Sequence, residues 1–147
     1  MKKVLSIGAI ILVIFIALYS LGSDSNKIER SDTGKGNIGD YYIEIKDYAV
    51  ETDEEGNPVL AINYGFTNNS DDSATFDFVV DDDVFQNGIG LECVYRDKNI
   101  NTSVQAGGTI DIVIVYALND NSDVDVELSD VMGEFDDKVT ATIKISE

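Results

Sequence analysis

The side chains in this sequence that could do chemistry are mostly carboxylates. Asp81-Asp82-Asp83 form one run, and Asp120, Asp123 and Asp125 form a second group. Carboxylate oxygens are the ligands that Ca²⁺ prefers, and extracellular modules bind it with dissociation constants of about 0.1 to 1 mM. Either group therefore predicts a weak calcium site, provided that the fold gathers its members at the ends of loops. We expect no other cofactor.

Most catalytic chemistry is excluded by composition. Histidine is absent and Cys93 is the one cysteine, so Ser-His-Asp and Cys-His pairs and zinc sites of His or Cys ligands cannot be assembled. Two acids flanking a glycosidic bond are conceivable, but nothing marks out one pair among the 28 acidic residues. We therefore predict that the protein is not an enzyme. Cys93 shares the alternation of Leu91 and Tyr95, which predicts a small buried residue rather than a reactive thiol.

The formal net charge of −18 limits the possible partners. Phosphate backbones and anionic lipid headgroups bind proteins through Lys and Arg. We therefore expect no nucleic-acid partner, and contact with a membrane only through the N-terminal segment. The simplest interpretation of the negative charge is that it keeps the protein soluble. The functional interpretation is that it attracts cations or a basic partner.

Residues 1–22 are predicted to be a signal peptide or a membrane anchor. Lys2 and Lys3 precede an uncharged apolar run, residues 4–21, that would roughly span the hydrocarbon core as a helix and leave the rest of the chain outside. A cleaved secretory signal has the same order of regions, and cleavage after Gly22 is possible. Ser23 stands where a bacterial lipoprotein carries its lipid-accepting cysteine, so thioether lipidation is unavailable there.

Residues 23–39 are predicted to be a flexible linker, because they hold few large aliphatic residues and show no period of 2 or 3.6. Residues 34–39 match GxGxxG, but a dinucleotide site needs these glycines between a strand and a helix. Residues 32–34 match the Asp-Thr-Gly triplet of aspartic proteases, which requires two such carboxylates on apolar strands. We interpret both motifs as linker.

Residues 40–147 alternate apolar and polar side chains in the way that is typical of β-strands separated by turns. The clearest strand is residues 58–70, in which Gly65 predicts the close approach of another group. Its predicted core face consists of Leu60, Ile62, Tyr64 and Phe66. Further strands are predicted at residues 40–50 with a bulge after Asp47, and at 76–80, 89–96, 109–118, 124–128 and 139–145. About seven strands at this spacing indicate an all-β fold, an antiparallel β-sandwich.

The strand at residues 109–118 is apolar on both faces, which indicates either an interior position or an outer face that meets a partner. If Val113 and Val115 were exposed together with Tyr48, they would form an apolar patch for a protein partner.

Three short elements are distinctive: the strand end YGFTNNS at residues 64–70, the FQNG turn at residues 85–88, and Ala106-Gly107-Gly108 leading into the next strand. With them, residues 40–147 resemble an uncharacterised immunoglobulin-like domain family of secreted Gram-positive lipoproteins. That family is related in fold to a mycobacterial immunoprotective extracellular protein. The resemblance implies an immunoglobulin-like sandwich and no particular activity or functional residue. Its members usually carry the lipid-accepting cysteine, from which Ser23 departs.

The predicted function is that of a non-enzymatic binding module outside the cell, either held at the cell membrane or secreted. A protein, a glycan or a cell-wall component would be its partner. The alternatives are a weak calcium-binding envelope domain and a structural spacer without a specific ligand. The sequence leaves the oligomeric state open.

Overall fold

The computed structural model describes residues 34–145. The predicted signal or anchor segment and the first part of the predicted linker lie outside the described residues. The elements are β1 (Lys35–Ile38), β2 (Tyr41–Thr52), β3 (Pro58–Asn68), α1 (Phe76–Val79), β4 (Val80–Gln86), β5 (Ile89–Gly90), β6 (Cys93–Arg96), a 3₁₀ turn (Lys98–Asn101), β7 (Thr109–Ala117), β8 (Val124–Asp130) and β9 (Val139–Ile143). No helix in residues 34–145 is both long enough and apolar enough to cross a membrane.

Two antiparallel sheets pack against each other as a sandwich, which confirms the predicted all-β class. The strand order is β1-β2-β3-β7-β6 in the five-stranded sheet and β5-β4-β8-β9 in the four-stranded sheet. β3 lies at the centre of the larger sheet and pairs with β2 and β7 along nearly its whole length. Its side chains Leu60, Ile62, Tyr64 and Phe66 are fully buried between the sheets, as predicted. Burial of each stabilises the fold by about 1.5–3 kcal/mol before the entropy cost.

Backbone hydrogen bonds join the two sheets at both sides. On one side, the amide of Gly34 donates to the carbonyl of Thr140 (3.1 Å), which links the start of β1 to β9. On the other side, Leu91 donates to Val84 of β4, and Glu92 accepts from Ala117 of β7 (both 2.8 Å). The chain therefore crosses between the sheets within two residues.

Residues 34–145 form nine strands because two segments differ from the sequence-based prediction. β1 lies in the predicted linker, where Ile38 is the one large apolar residue of a short edge strand and is fully buried. The predicted strand at residues 89–96 is two strands, β5 and β6, in different sheets. Period-2 alternation continues through such a crossing, so the pattern cannot reveal it.

The predicted strand at residues 76–80 is wrong. Residues 76–79 form the single helical turn α1, which buries Phe76 and Val79 and leaves Phe78 67% exposed. In so short an apolar run, the spacing of about three residues that indicates a helix cannot be distinguished from the spacing of two that indicates a strand. The strand starts at Val80 instead, so the three aspartates that follow are part of β4 and not of a loop.

The bulge predicted in β2 is present one position earlier, where the register against β3 shifts between Ile45 and Asp47. The Lys46 side chain crosses Gly65 of β3, whose added Cβ would come within 3.0 Å of Lys46 Cδ. Lys46 Nζ then reaches Asp111 on β7 at 3.0 Å. The predicted close approach at Gly65 is thus confirmed, and a lysine side chain makes it. Val50 is 39% exposed near the end of β2.

The β1–β2 turn is held against the loop that joins β8 to β9. Gly39 has a φ of +58°, and its amide donates to Asp137 Oδ2 at 3.2 Å. A Cβ at Gly39 would overlap the ring of Phe135, so the ring lies directly on the glycine. Both the backbone conformation and the available space therefore require glycine at this position.

We expect Gly39→Ala to lower the free energy of unfolding by about 2–3 kcal/mol, because it adds overlap with Phe135 to the cost of a left-handed backbone. Gly56→Ala is the matched control, since Gly56 also has positive φ (+85°) but nothing lies within 4 Å of its added Cβ. It should cost only about 1 kcal/mol. Urea unfolding of both variants measures the difference, and equal losses would contradict the packing at Gly39.

Candidate functional site

The six aspartates proposed as calcium ligands occupy different places in the four-stranded sheet and its turns. Residues 81–83 alternate faces along β4, and Asp125 on β8 accepts from Thr142 Oγ1 at 2.8 Å. Asp120 lies in the β7–β8 turn, where its carboxylate accepts from Ser122 N (2.7 Å) and Asn87 Nδ2 (3.0 Å). These hydrogen bonds lower its pKa. Asp123 is exposed in the same turn.

Among residues 34–145, no group of three or more His, Cys, Asp or Glu side chains is placed to hold a metal ion. The geometry therefore adds nothing in favour of calcium, which stays a prediction from the sequence.

Asp82 is the exception among these aspartates, because it points into the sandwich with Val80 and Val84. Only 6% of its side chain is exposed. Its carboxylate accepts from Tyr116 Oη on β7 at 2.6 Å and from both terminal nitrogens of Arg96 on β6 at 3.1 and 3.2 Å. One carboxylate on the smaller sheet thus binds two strands of the larger sheet.

The hydrogen bonds continue on both sides of Asp82. Tyr116 Oη lies 2.9 Å from Tyr64 Oη in the core, and Arg96 Nη2 donates to Asp77 on α1 at 3.2 Å. We call these five residues, Tyr64, Tyr116, Asp82, Arg96 and Asp77, the inter-sheet network. It runs from the buried centre of the sandwich to the surface at α1.

Burial and charge shape the ionisation of this network. Burial is the main cause that raises the pKa of both the Tyr64 and the Tyr116 hydroxyls, and the Asp82 carboxylate adds to it, so both tyrosines stay neutral donors. Burial disfavours the charge of Arg96, but the hydrogen bonds and charge of Asp82 outweigh it and raise the Arg96 pKa. The two tyrosine hydroxyls and the Arg96 guanidinium therefore keep their protons near neutral pH.

The expectation that Cys93 is buried is wrong. Cys93 is exposed, because β6 is an edge strand and its register against β7 shifts between Cys93 and Tyr95. Partial burial of the sulfur still raises the pKa of the thiol, although the neighbouring Arg96 acts in the opposite direction. A thiol with a raised pKa is a poor nucleophile at neutral pH.

The outer face of the larger sheet does not form the apolar patch that was considered from the sequence. Val115 is fully buried, Tyr48 lies in the core, and Val113 is half-buried. Val94 and Tyr95 of β6 pack over Val59, Ala61 and Val115, which form a small second cluster. This face therefore lends no support to a protein partner.

Asn63 lies on the same outer face, opposite Asp47 of β2. Its side chain is buried, and its Oδ1 has no hydrogen-bond donor among the described protein atoms. Burial raises the pKa of Asp47 beside it. A buried acceptor without a donor is destabilising by about 1–3 kcal/mol where no water reaches it.

Exposed apolar side chains concentrate at one end of the sandwich instead. Four of the six large apolar residues that are exposed in residues 34–145 belong to α1 or to the β8–β9 loop, and we call them the apolar end: Phe78, Val131, Met132 and Phe135. The amide of Val131 donates to the carbonyl of Val79 at 3.0 Å, which holds the loop against α1. The other two, Val50 and Ile89, lie towards the opposite end. Sequence analysis missed this surface because the loop and the helical turn meet only in the folded chain.

We expect Asp82→Asn to lower the free energy of unfolding by about 2 kcal/mol or more, because Arg96 and Tyr116 lose a buried charged acceptor. Urea unfolding measures the loss. Asp83→Asn, one position along the strand but exposed, is the control and should not be destabilising. An equally small effect of both substitutions would contradict the inter-sheet network.

Asp83 itself should be destabilising at neutral pH. Burial, followed by the charges of Asp81, Asp82 and its cross-strand partner Glu127, raises its pKa. A carboxyl with a raised folded pKa loses stability as the pH rises from its ordinary value through the raised one. Asp83→Asn should therefore stabilise the fold at pH 7 by about 0.5 kcal/mol, as relief of a like-charge cross-strand pair does. The gain should shrink when unfolding is measured closer to pH 4, and a constant gain would contradict this explanation.

The chain is similar in fold to solved structures from Gram-positive bacteria. A candidate lipoprotein from Staphylococcus aureus matches with a TM-score of 0.58 and 15% identity over 82% of this chain and 95% of that one. A conserved hypothetical protein from Bacillus anthracis matches with a TM-score of 0.53 and 12% identity over 83% and 100%. A candidate lipoprotein from Bacillus subtilis matches with a TM-score of 0.57 and 13% identity over 80% of this chain. This chain spans only 40% of that protein.

No curated protein matches the chain. The family model described as "Domain of unknown function (DUF5067)" matches residues 22–130, which are most of the chain. The match includes the inter-sheet network and ends at the last residue of β8, before the β8–β9 loop. The chain therefore belongs to the DUF5067 family.

Proposed function

We propose that this protein is a non-enzymatic interaction module displayed outside the cell, and that it binds a protein partner through its apolar end. The observation that carries the proposal is the exposure of Phe78 (67%) and Met132 (60%) on segments that contact each other. Single exposed apolar residues are ordinary, but a cluster of large ones is typical of interaction surfaces. Of the partners considered from the sequence, a protein suits this surface better than a glycan, since it can cover apolar side chains.

The inter-sheet network does not compete with the apolar end for this role. Asp82 is buried, and its hydrogen bonds are made to residues of the protein itself. Such a network stabilises the sandwich and holds α1, which carries Phe78, through the bond of Arg96 to Asp77. The proposed activity is therefore binding and not catalysis.

The proposed location rests on the N-terminal sequence and on analogy. The apolar run at residues 4–21 supports export with or without cleavage, and the similar folds of candidate lipoproteins from Staphylococcus aureus and Bacillus subtilis are consistent with it. We also assign the sandwich to the immunoglobulin-like class. The two antiparallel sheets and the FQNG turn at residues 85–88 support this assignment, and in that turn both Asn87 and Gly88 have positive φ.

A structural spacer without a ligand is the competing function, and in-cell crosslinking distinguishes the two. The full-length chain, expressed with an affinity tag in a Gram-positive host, should recover a partner protein. The double variant Phe78→Ser/Met132→Ser should recover about tenfold less of this partner. Loss of the two large apolar side chains should weaken the binding free energy by about 1.4 kcal/mol or more. Ile89→Ser is the matched control, since Ile89 is 65% exposed at the other end.

Recovery that is equal for wild type, the double variant and Ile89→Ser would contradict the proposal, and so would the absence of any partner beyond the background of the tag alone. Either result would favour the spacer. Thermal unfolding of each variant checks that the substitutions leave the fold intact, as expected for exposed side chains.

A further inference from the structure

The apolar end is presented by a loop with a defined conformation. The Asp130 carboxylate, at the end of β8, accepts from the amides of Met132 (3.1 Å), Glu134 (2.7 Å) and Phe135 (3.1 Å). The amide of Gly133, which has a φ of +67°, donates to the Asp130 carbonyl at 3.2 Å. One aspartate thus orders four consecutive residues. Met132 is held in solvent by this turn, and a preorganised surface loses less entropy on binding than a flexible one.

The neighbouring segments are also held in place. Phe135 lies over Gly39, and Asp77 of α1 is bound by Arg96 at 3.2 Å. Val131 is tied to Val79 through the backbone. Phe78 and Met132 therefore project from a fixed base formed by the turn, the helix and the loop.

Acidic residues outnumber basic ones in the segments that form or adjoin the apolar end. The segments at residues 39–40, 69–79 and 131–138 contain a single basic residue, Lys138, and its Nζ lies 3.5 Å from Glu127. Their acidic residues are Asp40, Asp71, Asp72, Asp77, Glu134, Asp136 and Asp137. All of them are exposed. Arg96 pairs with Asp77, and the 3₁₀ turn that packs against α1 adds the exposed Lys98, so this acidic rim carries an excess of negative charge.

Resting on the proposed function, we infer that the apolar end binds a basic segment of a partner polypeptide that combines apolar side chains with Lys or Arg. The apolar residues of that segment cover Phe78 and Met132, and its cations face the acidic rim. Complementary charge steers association and selects partners. A second copy of this chain, with a formal charge of −18, and an anionic lipid surface both carry the wrong sign.

The apolar end lies mostly outside the residues that the family model matches. Three of the four residues of the apolar end, Val131, Met132 and Phe135, lie beyond residue 130, where that match ends.

Binding of synthetic peptides to the full-length chain in phosphatidylcholine nanodiscs tests the inference, with empty nanodiscs as the blank. Three fluorescent peptides of equal length serve as probes: one of Lys and Leu, one of Glu and Leu, and one of Lys and Ser. Fluorescence anisotropy should show binding of the Lys-Leu peptide alone, because only that peptide offers both apolar cover and positive charge. Its affinity should fall at least about tenfold when salt rises from about 0.05 to about 0.5 M, since the charges at the rim are exposed and screened.

Two pairs of variants separate the contribution of the apolar side chains to peptide binding from that of the acidic rim. Phe78→Ser/Met132→Ser should weaken binding of the Lys-Leu peptide about tenfold or more, whereas Ile89→Ser should leave it within about twofold. Glu134→Gln/Asp136→Asn should weaken binding and flatten its salt dependence. Glu54→Gln/Asp123→Asn, which removes as many exposed charges at the opposite end, should not.

Equal binding of the Glu-Leu peptide, equal losses from the two pairs at opposite ends, or binding to phosphatidylglycerol vesicles that exceeds binding of the Lys-Leu peptide would each overturn the inference. Its failure is distinguishable from failure of the proposed function. If a crosslinked partner depends on Phe78 and Met132 but is neither salt-sensitive nor displaced by the Lys-Leu peptide, the interaction module stands and the basic partner is wrong.

Discussion

The need to solvate one carboxylate inside the sandwich constrains much of the structure. Asp82 points inward because strand alternation puts it on the face of Val80 and Val84, and an ionised group there requires donors from the protein. Tyr116 and Arg96 supply them from the opposite sheet. The two sheets must therefore pack in the one arrangement that brings β7 and β6 over Asp82. Hydrogen bonds specify this arrangement more strictly than apolar contacts do.

That constraint also explains the path of the chain around the network. Arg96 reaches Asp82 only because the chain leaves the small sheet after Leu91 and enters the large one at Glu92. The same crossing closes one side of the sandwich and makes β6 an edge strand, which exposes Cys93. Arg96 then extends the network to Asp77, so that the buried carboxylate is connected to the helical turn that carries Phe78.

The conformation of the apolar end depends on a second aspartate, Asp130, which accepts hydrogen bonds from its own loop. Asp130, the last residue of β8, accepts from three loop amides, which gives the β8–β9 loop a fixed shape without a core of its own. The exposed Met132 is thus a property of an ordered turn. The outer face of the larger sheet shows the contrast, because its apolar residues are covered by Val94 and Tyr95 of the same chain. The four side chains of the apolar end, in contrast, stay exposed among residues 34–145.

The sequence alone determined the class of fold and the identity of its central strand. Alternation of apolar residues depends on the local geometry of a strand, and so it identified β3, β7, β8 and β9, with Tyr64 on the core face of β3. It also contained an unused signal for Asp82, which shares the face of Val80 and Val84. The turn at Asn87 is likewise local, since it needs only positive φ there and at the glycine that follows.

Only the tertiary structure decided which elements meet. Local periodicity carries no information on the partner of a strand, so it could not divide residues 89–96 between two sheets or bring Arg96 to Asp82. It could not distinguish one helical turn from a short strand at Phe76, where both bury the same aromatic ring. The apolar end combines two segments about fifty residues apart in the chain, one with Phe78 and one with Met132. A local sequence pattern does not predict a contact over that separation.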